Sequence, residues 1–351
     1  MSDMTAEPAP FSALERARAV ADSMLFPRAQ DVDRGRAPIG DGLDALAEAG
    51  LFGIAGPASH GGVDLGPHDA RGVLAAVGSG CGATFFVWVQ HHGVVRQLGA
   101  SANTDLADSL LEPLCAGSSI AGVAFAHIRR PGPPAIRATR VDGGWRLGGH
   151  APWATSWGIA EWFCVAAEST DGVLGWSMVP GDAPAGVTPT DLPLPVFAST
   201  GTVALTFDGC VVADSMVVTV EDVDGWRAAD RRRAAVGQPA VMGVADRAIR
   251  LLGEIGDDDA TTTARRLRGA LDQRWNVDVA LVDGDGDVKA ASDHRAACLR
   301  LAHRSTMALL AASGGRGMAL DHPAQRLARE ATFYVIQAQT ADGRAATLRA
   351  T

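Results

Sequence analysis

Residues 136–157 read IRATRVDGGWRLGGHAPWATSW. Ile136 to Val141 and Trp145 to Leu147 are β-prone runs, and Asp142-Gly143-Gly144 between them tolerates the positive φ of a tight turn, so the stretch predicts a β-hairpin. Trp162 to Ala166, Val173 to Val179 and Val203 to Phe207 extend the same grammar of short strands split by turn residues. In the last of these, Val203, Leu205 and Phe207 alternate with Thr202, Ala204 and Thr206, the period of a half-buried strand. A β-domain is therefore expected over 125–225, closed as a barrel or sandwich.

On both sides the period lengthens. From about Phe11 to Ala124 apolar residues recur at helical spacing, as in Leu14, Ala17, Val20, Ala21 and Met24, and again in Leu43, Leu46 and Ala47 before a capping Gly50. Ala83 to Leu98 is apolar nearly all round, which predicts a helix buried in a bundle. Beyond Trp226, helices are expected near 228–253, 260–281, 290–312 and 322–345, broken by Gly-Asp runs at 256–259 and 283–287, with the last three packed antiparallel. The fold class is α+β in three parts: an N-terminal helical domain (1–124), the β-domain (125–225) and a C-terminal helical bundle (226–351).

Composition agrees with a packed interior and narrows the function. The chain has 351 residues, 47% hydrophobic and 20% charged, too apolar for disorder. A net charge of -9 and a pI near 5.4 argue against binding nucleic acid or an anionic membrane, which needs a concentrated basic face. Of 31 basic side chains all but Lys289 are arginine, a coding bias, and the single basic run, Arg231-Arg232-Arg233, reads as a solvated helix face. Five cysteines without C-x-x-C spacing suggest reduced thiols. With no leader-like start and no long apolar run, a cytoplasmic protein without a membrane span is expected.

Several motifs invite a chemical reading. Asp283, Asp285 and Asp287 alternate like a calcium loop, but Val288 stands where glycine is required and His294 where a bidentate Glu is required, so no metal site is expected. Gly78, Gly80 and Gly82 do not follow a strand, which rejects a dinucleotide fingerprint, and Ser156 and Ser199 have no nucleophile-elbow context. His91 and His92, about 100° apart on an apolar helix, are candidates for a proton donor beside a cofactor or for hydrogen-bonded core histidines. Trp153, Thr155, Ser156 and Trp157 gather two indoles and two hydroxyls, a set that suits a planar heteroaromatic cofactor.

Four segments together resemble the acyl-CoA dehydrogenase superfamily of flavoproteins. They are Leu46 to Ile54; the hairpin Gly144 to Gly149 followed by Trp153-Ala-Thr155; Ser199 to Val212; and Ser313 to Gly317 with His322 to Ala331. The resemblance implies FAD held between the β-domain and the C-terminal bundle, in a homo- or hetero-oligomer whose neighbouring subunit completes the site. Phe125 and Ala126 would offer backbone groups to the flavin. Trp153 would pack on it, Thr155 would hydrogen-bond it, and Gly314 and Gly315 would let FAD's pyrophosphate or adenosine half approach a partner subunit's backbone. It also implies an acyl-CoA or another small-molecule substrate and a separate electron acceptor.

The family's base, a Glu near the C-terminus, has no counterpart in Tyr334 to Thr340, and its alternative position falls near Arg233, with Asp230 the nearest acid. The Arg-x-x-Phe-Gly that contacts FAD across the family's dimer is missing from 254–290, and His127 replaces part of the usual Thr-Glu-Pro loop. Three readings stay open. One is desaturation of an acyl thioester with a base such as Asp230 or Glu330. Another is a flavin-dependent monooxygenase, with reduced flavin as co-substrate and His91 or His92 beside it. The third is a non-catalytic partner subunit of a heteromeric dehydrogenase.

Overall fold

The computed structural model describes residues 12–130, 132–284 and 286–351. The expected start at Phe11 and the middle carboxylate of the aspartate run, Asp285, lie outside them. Six helices lead: α1 (Ala13–Val20), α2 (Phe26–Asp33), α3 (Gly40–Glu48), α4 (Pro67–Gly80), α5 (Gly82–Gly99) and α6 (Thr104–Ala116). A π-turn at Ala21–Leu25 joins α1 to α2, and its Asp22 pairs with Arg247 and Arg250. Local chemistry sets the ends: Ser12 and Glu15 form a capping box on α1, while Asn103 caps the start and left-handed Gly117 the end of α6. As its composition requires, α5 is the central helix, with Phe85, Trp88, Val94, Val95 and Leu98 fully buried.

Eight strands follow: β1 (Ala121–Ala124), β2 (Ile136–Val141), β3 (Gly144–Ala154), β4 (Trp162–Glu168), β5 (Val173–Pro180), β6 (Val187–Asp191), β7 (Val203–Ala213) and β8 (Val217–Asp222). The hairpin is β2–β3, with Val141 opposite Gly144. The sheet runs β6-β7-β3-β2-β4-β5-β8, and β1 pairs parallel with β4. Successive residues of β4 point to opposite faces: Phe163 and Val165 join Leu147, Leu205 and Phe207 in one core, while Cys164 and Ala166 join Leu111, Trp176 and Trp226 in another. Because β3, β4, β5 and β7 share the first core, the sheet curls on itself, as a barrel or sandwich must.

The C-terminal part holds α7 (Val223–Val236), α8 (Ala240–Gly253), α9 (Asp258–Asp283), α10 (Val288–Ser313), α11 (Pro323–Ile336) and α12 (Ala341–Ala350). In the bundle α10 packs on α8, α9, α11 and α12. Three expectations need correcting. Ala121–Ala124 is a strand, not the end of the helical part. The helix expected over 228–253 is two, split where Gly237 turns to φ +76 ahead of Pro239. The one expected over 322–345 is also two, because Arg295 binds the carbonyls of Gln337 and Ala338 and so ends α11. Among the described residues no helix is long and apolar enough to cross a membrane and no cluster could hold a metal ion. Asp287 caps α10 and Asp283 pairs with His68, so these two acids have structural partners.

Candidate active site

At the end of β3, Trp153 leaves 42% of its surface exposed, unusual for an indole on a packed sheet. Two residues on, Thr155 is buried and begins a line of hydroxyls. Its Oγ1 lies 2.9 Å from Thr202 Oγ1, which lies 2.7 Å from Thr200 Oγ1, and Thr200 donates to the Phe197 carbonyl at 2.7 Å. The backbone runs parallel to this line, with Ser156 N–H donating to Thr200 O and Trp157 N–H to Gly201 O, both at 2.9 Å. Gly201 is required, since a Cβ there would come 2.2 Å from Trp157 O. The hydroxyls of Ser156 and Ser199, beside the line at either end, are buried without a partner. Unpaired buried hydroxyls in the segments that follow an exposed indole and precede Thr200 are groups that a polar heteroaromatic ring would satisfy.

Phe197 joins this edge of the sheet to the helices. It sits at φ +61, a conformation that costs a bulky side chain on the order of 1–3 kcal/mol. Its ring stacks on Phe86 of α5 at 5.6 Å and meets Phe333 of α11 edge-on at 4.6 Å, with Phe86 and Phe333 4.8 Å apart. Gly82 admits this contact: a Cβ would come 2.7 Å from both the Phe197 ring and the Glu330 carboxyl carbon. The more open face of α5 carries Phe86, Val89, Gln90, Gly93, Arg96 and Gln97.

The two histidines lie on the other face of that helix. His91 Nε2 donates to Leu114 O at 3.1 Å and Nδ1 accepts from Ala121 N–H at 3.2 Å, so both nitrogens are used and burial pushes the pKa down to about 4. His92 lies edge-on to Trp88 at 4.3 Å with neither nitrogen in hydrogen-bond geometry, although the Phe52 backbone lies close enough to favour a proton; burial and His91 hold it well below the usual imidazole range. Both imidazoles therefore lie in the interior, where burial disfavours their protonated forms. His127 donates to Ala166 O at 2.9 Å and is likewise pushed down to about 4 by burial.

Phe125 and Ala126 follow β1 at the mouth of the sheet and are half-buried. The Phe125 ring packs 5.7 Å from Trp176 and 6.0 Å from Trp226, under the Arg129 guanidinium at 4.9 Å. Arg129 grips both oxygens of buried Asp230, Nε to Oδ2 at 2.7 Å and Nη2 to Oδ1 at 2.8 Å. A carboxylate gripped in this way has both oxygens engaged by one guanidinium. Glu330 is no freer: its Oε1 accepts from Arg326 at 2.6 Å and from Gly82 N–H at 3.2 Å, Oε2 has no partner, and burial raises its pKa.

Sequence reasoning missed Arg295. It is buried, and its guanidinium donates to the carbonyls of Ala234 at 3.0 Å, Ala338 at 2.9 Å and Gln337. These carbonyls are the negative ends of α7 and α11, which suit a cation, and desolvation and Arg129 lower its pKa to about 10. Arg295 thereby fixes the α11–α12 loop, where Ala338 takes φ +48. A small cleft lies beside that loop, with Gln238, Arg295, Tyr334 and Gln337 on its walls; Trp153 and Thr155 do not line it. Gly314, at φ +57, and Gly315 end α10 at the surface with nothing within 4 Å of where a Cβ would be.

The family profile described as acyl-CoA dehydrogenase, N-terminal domain, matches residues 12–118. The chain is 28% identical over 360 residues to benzylmalonyl-CoA dehydrogenase of Aromatoleum aromaticum, covering 92% of each. Its fold is that of butyryl-CoA dehydrogenase from Megasphaera elsdenii, with a TM-score of 0.80 at 16% identity over 97% of this chain and 98% of that one. It is also that of KijD3, solved in complex with FMN and a dTDP-linked amino sugar, with a TM-score of 0.76 at 21% identity over 97% and 94%. Residues 12–118 thus match the acyl-CoA dehydrogenase N-terminal domain, and the whole chain has the fold of that superfamily and is similar along its length to one of its dehydrogenases.

Proposed function

We propose that the chain is a FAD-dependent oxidoreductase of the acyl-CoA dehydrogenase type, acting on the α,β-carbons of an acyl thioester within an oligomer and passing electrons to a separate acceptor. The observation that carries this is the exposed Trp153 indole beside Thr155, with the unpartnered hydroxyls of Ser156 and Ser199 at hand. That donor set fits an isoalloxazine: the indole backs the ring, Thr155 hydrogen-bonds a ring nitrogen, and the backbone of Phe125 and Ala126 borders it. Gly314 and Gly315 leave room for the diphosphate or adenosine half of a neighbour's FAD. When bound, the flavin supplies hydride acceptance at the β-carbon.

The residues of the chain bind and orient; the α-proton needs a base. Gln337, Ala338, Gln339 and Thr340 offer none, Asp230 is held by Arg129, and Glu330 is sealed under Arg326 and Gly82. We therefore place this chain in a heteromeric enzyme whose base comes from another subunit. The lack of a carboxylate at 337–340 also favours a second reading, a monooxygenase taking reduced flavin, which needs no such base.

Purifying the full chain and titrating it with FAD, then with acyl-CoA under anaerobic conditions, separates these. Flavin absorbance that bleaches with acyl-CoA supports desaturation by this chain alone. FAD uptake only with a co-expressed homologous subunit supports the heteromer. Oxygen consumption with reduced flavin and no bleaching by acyl-CoA supports the monooxygenase. Trp153→Ala is expected to weaken flavin binding about 10-fold, the size of an aromatic stacking contact; unchanged affinity would remove Trp153 from the site.

A further inference from the structure

Between α3 and α4 the chain doubles back on itself. Val63 N–H donates to Gly53 O at 2.8 Å, Asp64 N–H to Gly56 O at 3.0 Å and Leu65 N–H to Ile54 O at 2.8 Å, which zips residues 53–65 into a closed loop. Gly62 is pressed onto Gly56, where a Cβ would come 2.1 Å from the carbonyl oxygen. The tip of the loop, Ala58–His60, is a single 3-10 turn ended by Gly61 at φ +76. It carries a line of two hydrogen bonds: Ser59 Oγ lies 2.9 Å from His60 Nδ1, and His60 Nε2 lies 2.9 Å from Asp108 Oδ1 on α6. The start of α6 is tied down in turn, since the Asn103 amide donates to the carbonyls of Ser215 and Val217, both at 2.9 Å. Both ends of the line are thus held by ordered backbone.

The acid sets the direction of the line. A carboxylate can only accept, so His60 Nε2 carries the hydrogen and Nδ1 keeps its lone pair, to which Ser59 donates its hydroxyl hydrogen. A serine hydroxyl on a base that a third group orients is the arrangement that activates a weak nucleophile. Ser59 is exposed, so a donor from solution can reach its Oγ.

We propose that Ser59, His60 and Asp108 form a second site, independent of the flavin, that takes an acyl group from an activated ester or a thioester onto Ser59. Ser59 Oγ bonds to the carbonyl carbon while its hydrogen passes to His60 Nδ1. The carbon–oxygen or carbon–sulfur bond of the donor then breaks, and the leaving group takes that proton and departs as an alcohol or thiol. Water, giving its proton to the same nitrogen, attacks the acyl-serine, releases a carboxylic acid and restores Ser59. Nothing is oxidised or reduced. Asp108 is a positioning residue that acts through His60 by holding its tautomer. Its side chain is 70% exposed, against 21% for His60, so solvent screens the support it gives to the charged imidazole, and the acceleration expected is that of a general base alone, about 100-fold.

The test incubates the full-length protein with p-nitrophenyl acetate and, separately, with acetyl-CoA, follows release of p-nitrophenol or free thiol, and locates the acetyl group by peptide mass spectrometry. Acetyl on Ser59 is expected, absent in Ser59→Ala and formed about 100-fold more slowly in His60→Ala. Added imidazole should restore the rate of His60→Ala, a rescue that a merely structural histidine would not show. His60→Gln, which can still hydrogen-bond but cannot take the proton, should be as slow, and it serves should His60→Ala not fold. Asp108→Ala should slow acetylation about 5-fold, the size of one net hydrogen bond, and Asp108→Glu should recover it. Reaction with p-nitrophenyl acetate alone identifies the donor as an ester, and reaction with acetyl-CoA identifies it as a thioester. No acetyl on Ser59 from either donor, or a rate that both His60 variants leave unchanged, overturns the proposal and leaves the three side chains as a tie between the loop and α6. Neither outcome touches the flavin reading.

Discussion

Both ring nitrogens of His91 are committed to backbone groups. The Leu114 carbonyl can only accept, so Nε2 carries the proton, and Nδ1 keeps its lone pair for the Ala121 amide. Protonation at Nδ1 would break the bond that ties β1 to α5. The folded pKa, about 4, lies below the ordinary imidazole value of 6.5, so the unfolded chain binds more protons between them. The stability owed to neutral His91 is complete above about pH 6.5 and is lost as pH falls toward 4, on the order of 3 kcal/mol at about 1.4 kcal/mol for each tenfold change in proton affinity. His127, also near 4, and His92 pull the same way. Urea midpoints should fall from pH 7 to pH 4.5, and His91→Leu should be less stable at pH 7 yet show a shallower slope. Parallel slopes would mean that His91 titrates freely. From sequence the residue pair was legible and its orientation was not, because adjacent helical positions differ by about 100° and only tertiary packing chooses which face is interior.

Among the elements, those specified locally were legible and those specified at long range were not. The β2–β3 hairpin follows from its Asp142-Gly143 turn, and α5 from its continuous apolar surface. Strand β1 is four small residues, and β6 contains Pro189, so neither carries a strand signal of its own; both form by pairing with β4 and β7. Trp153 and Thr155 could be picked out by motif, whereas the Thr155–Thr202 contact spans 47 residues and Arg295 reaches carbonyls 42 to 61 residues away. The same applies to Asp230 of α7, whose partner Arg129 follows β1. If this pair locks α7 onto the sheet, Asp230→Asn strands a buried guanidinium and should cost about 3 kcal/mol in urea denaturation. The apolar pair Arg129→Met with Asp230→Leu should recover much of that loss. An Asp230→Asn variant of wild-type stability with abolished turnover would instead restore Asp230 as the base.

At the scale of the molecule, the helical core and the curled sheet account for most buried apolar surface, but the outer end of the C-terminal bundle is left uncovered. Met307 of α10 is 62% exposed, and Met318 and Leu320, at and just past the end of the Gly314–Met318 turn, are 67% and 55% exposed. Apolar side chains gathered at one end of a bundle favour burial against another subunit. Gly314 and Gly315, proposed to admit a neighbour's FAD, open the same turn, so assembly and cofactor retention should be coupled there. Sedimentation velocity on the purified chain is expected to show an oligomer, and Met318→Glu with Leu320→Glu should shift it toward monomer, because burying two carboxylates against an apolar partner costs more than the contact returns. Bound FAD should fall in step with the loss of assembly, while far-ultraviolet dichroism stays unchanged because both side chains lie outside the folded core. Dissociation with full FAD retention would detach Gly314 and Gly315 from the cofactor, and an oligomer that survives both substitutions would put the interface on another face of the bundle.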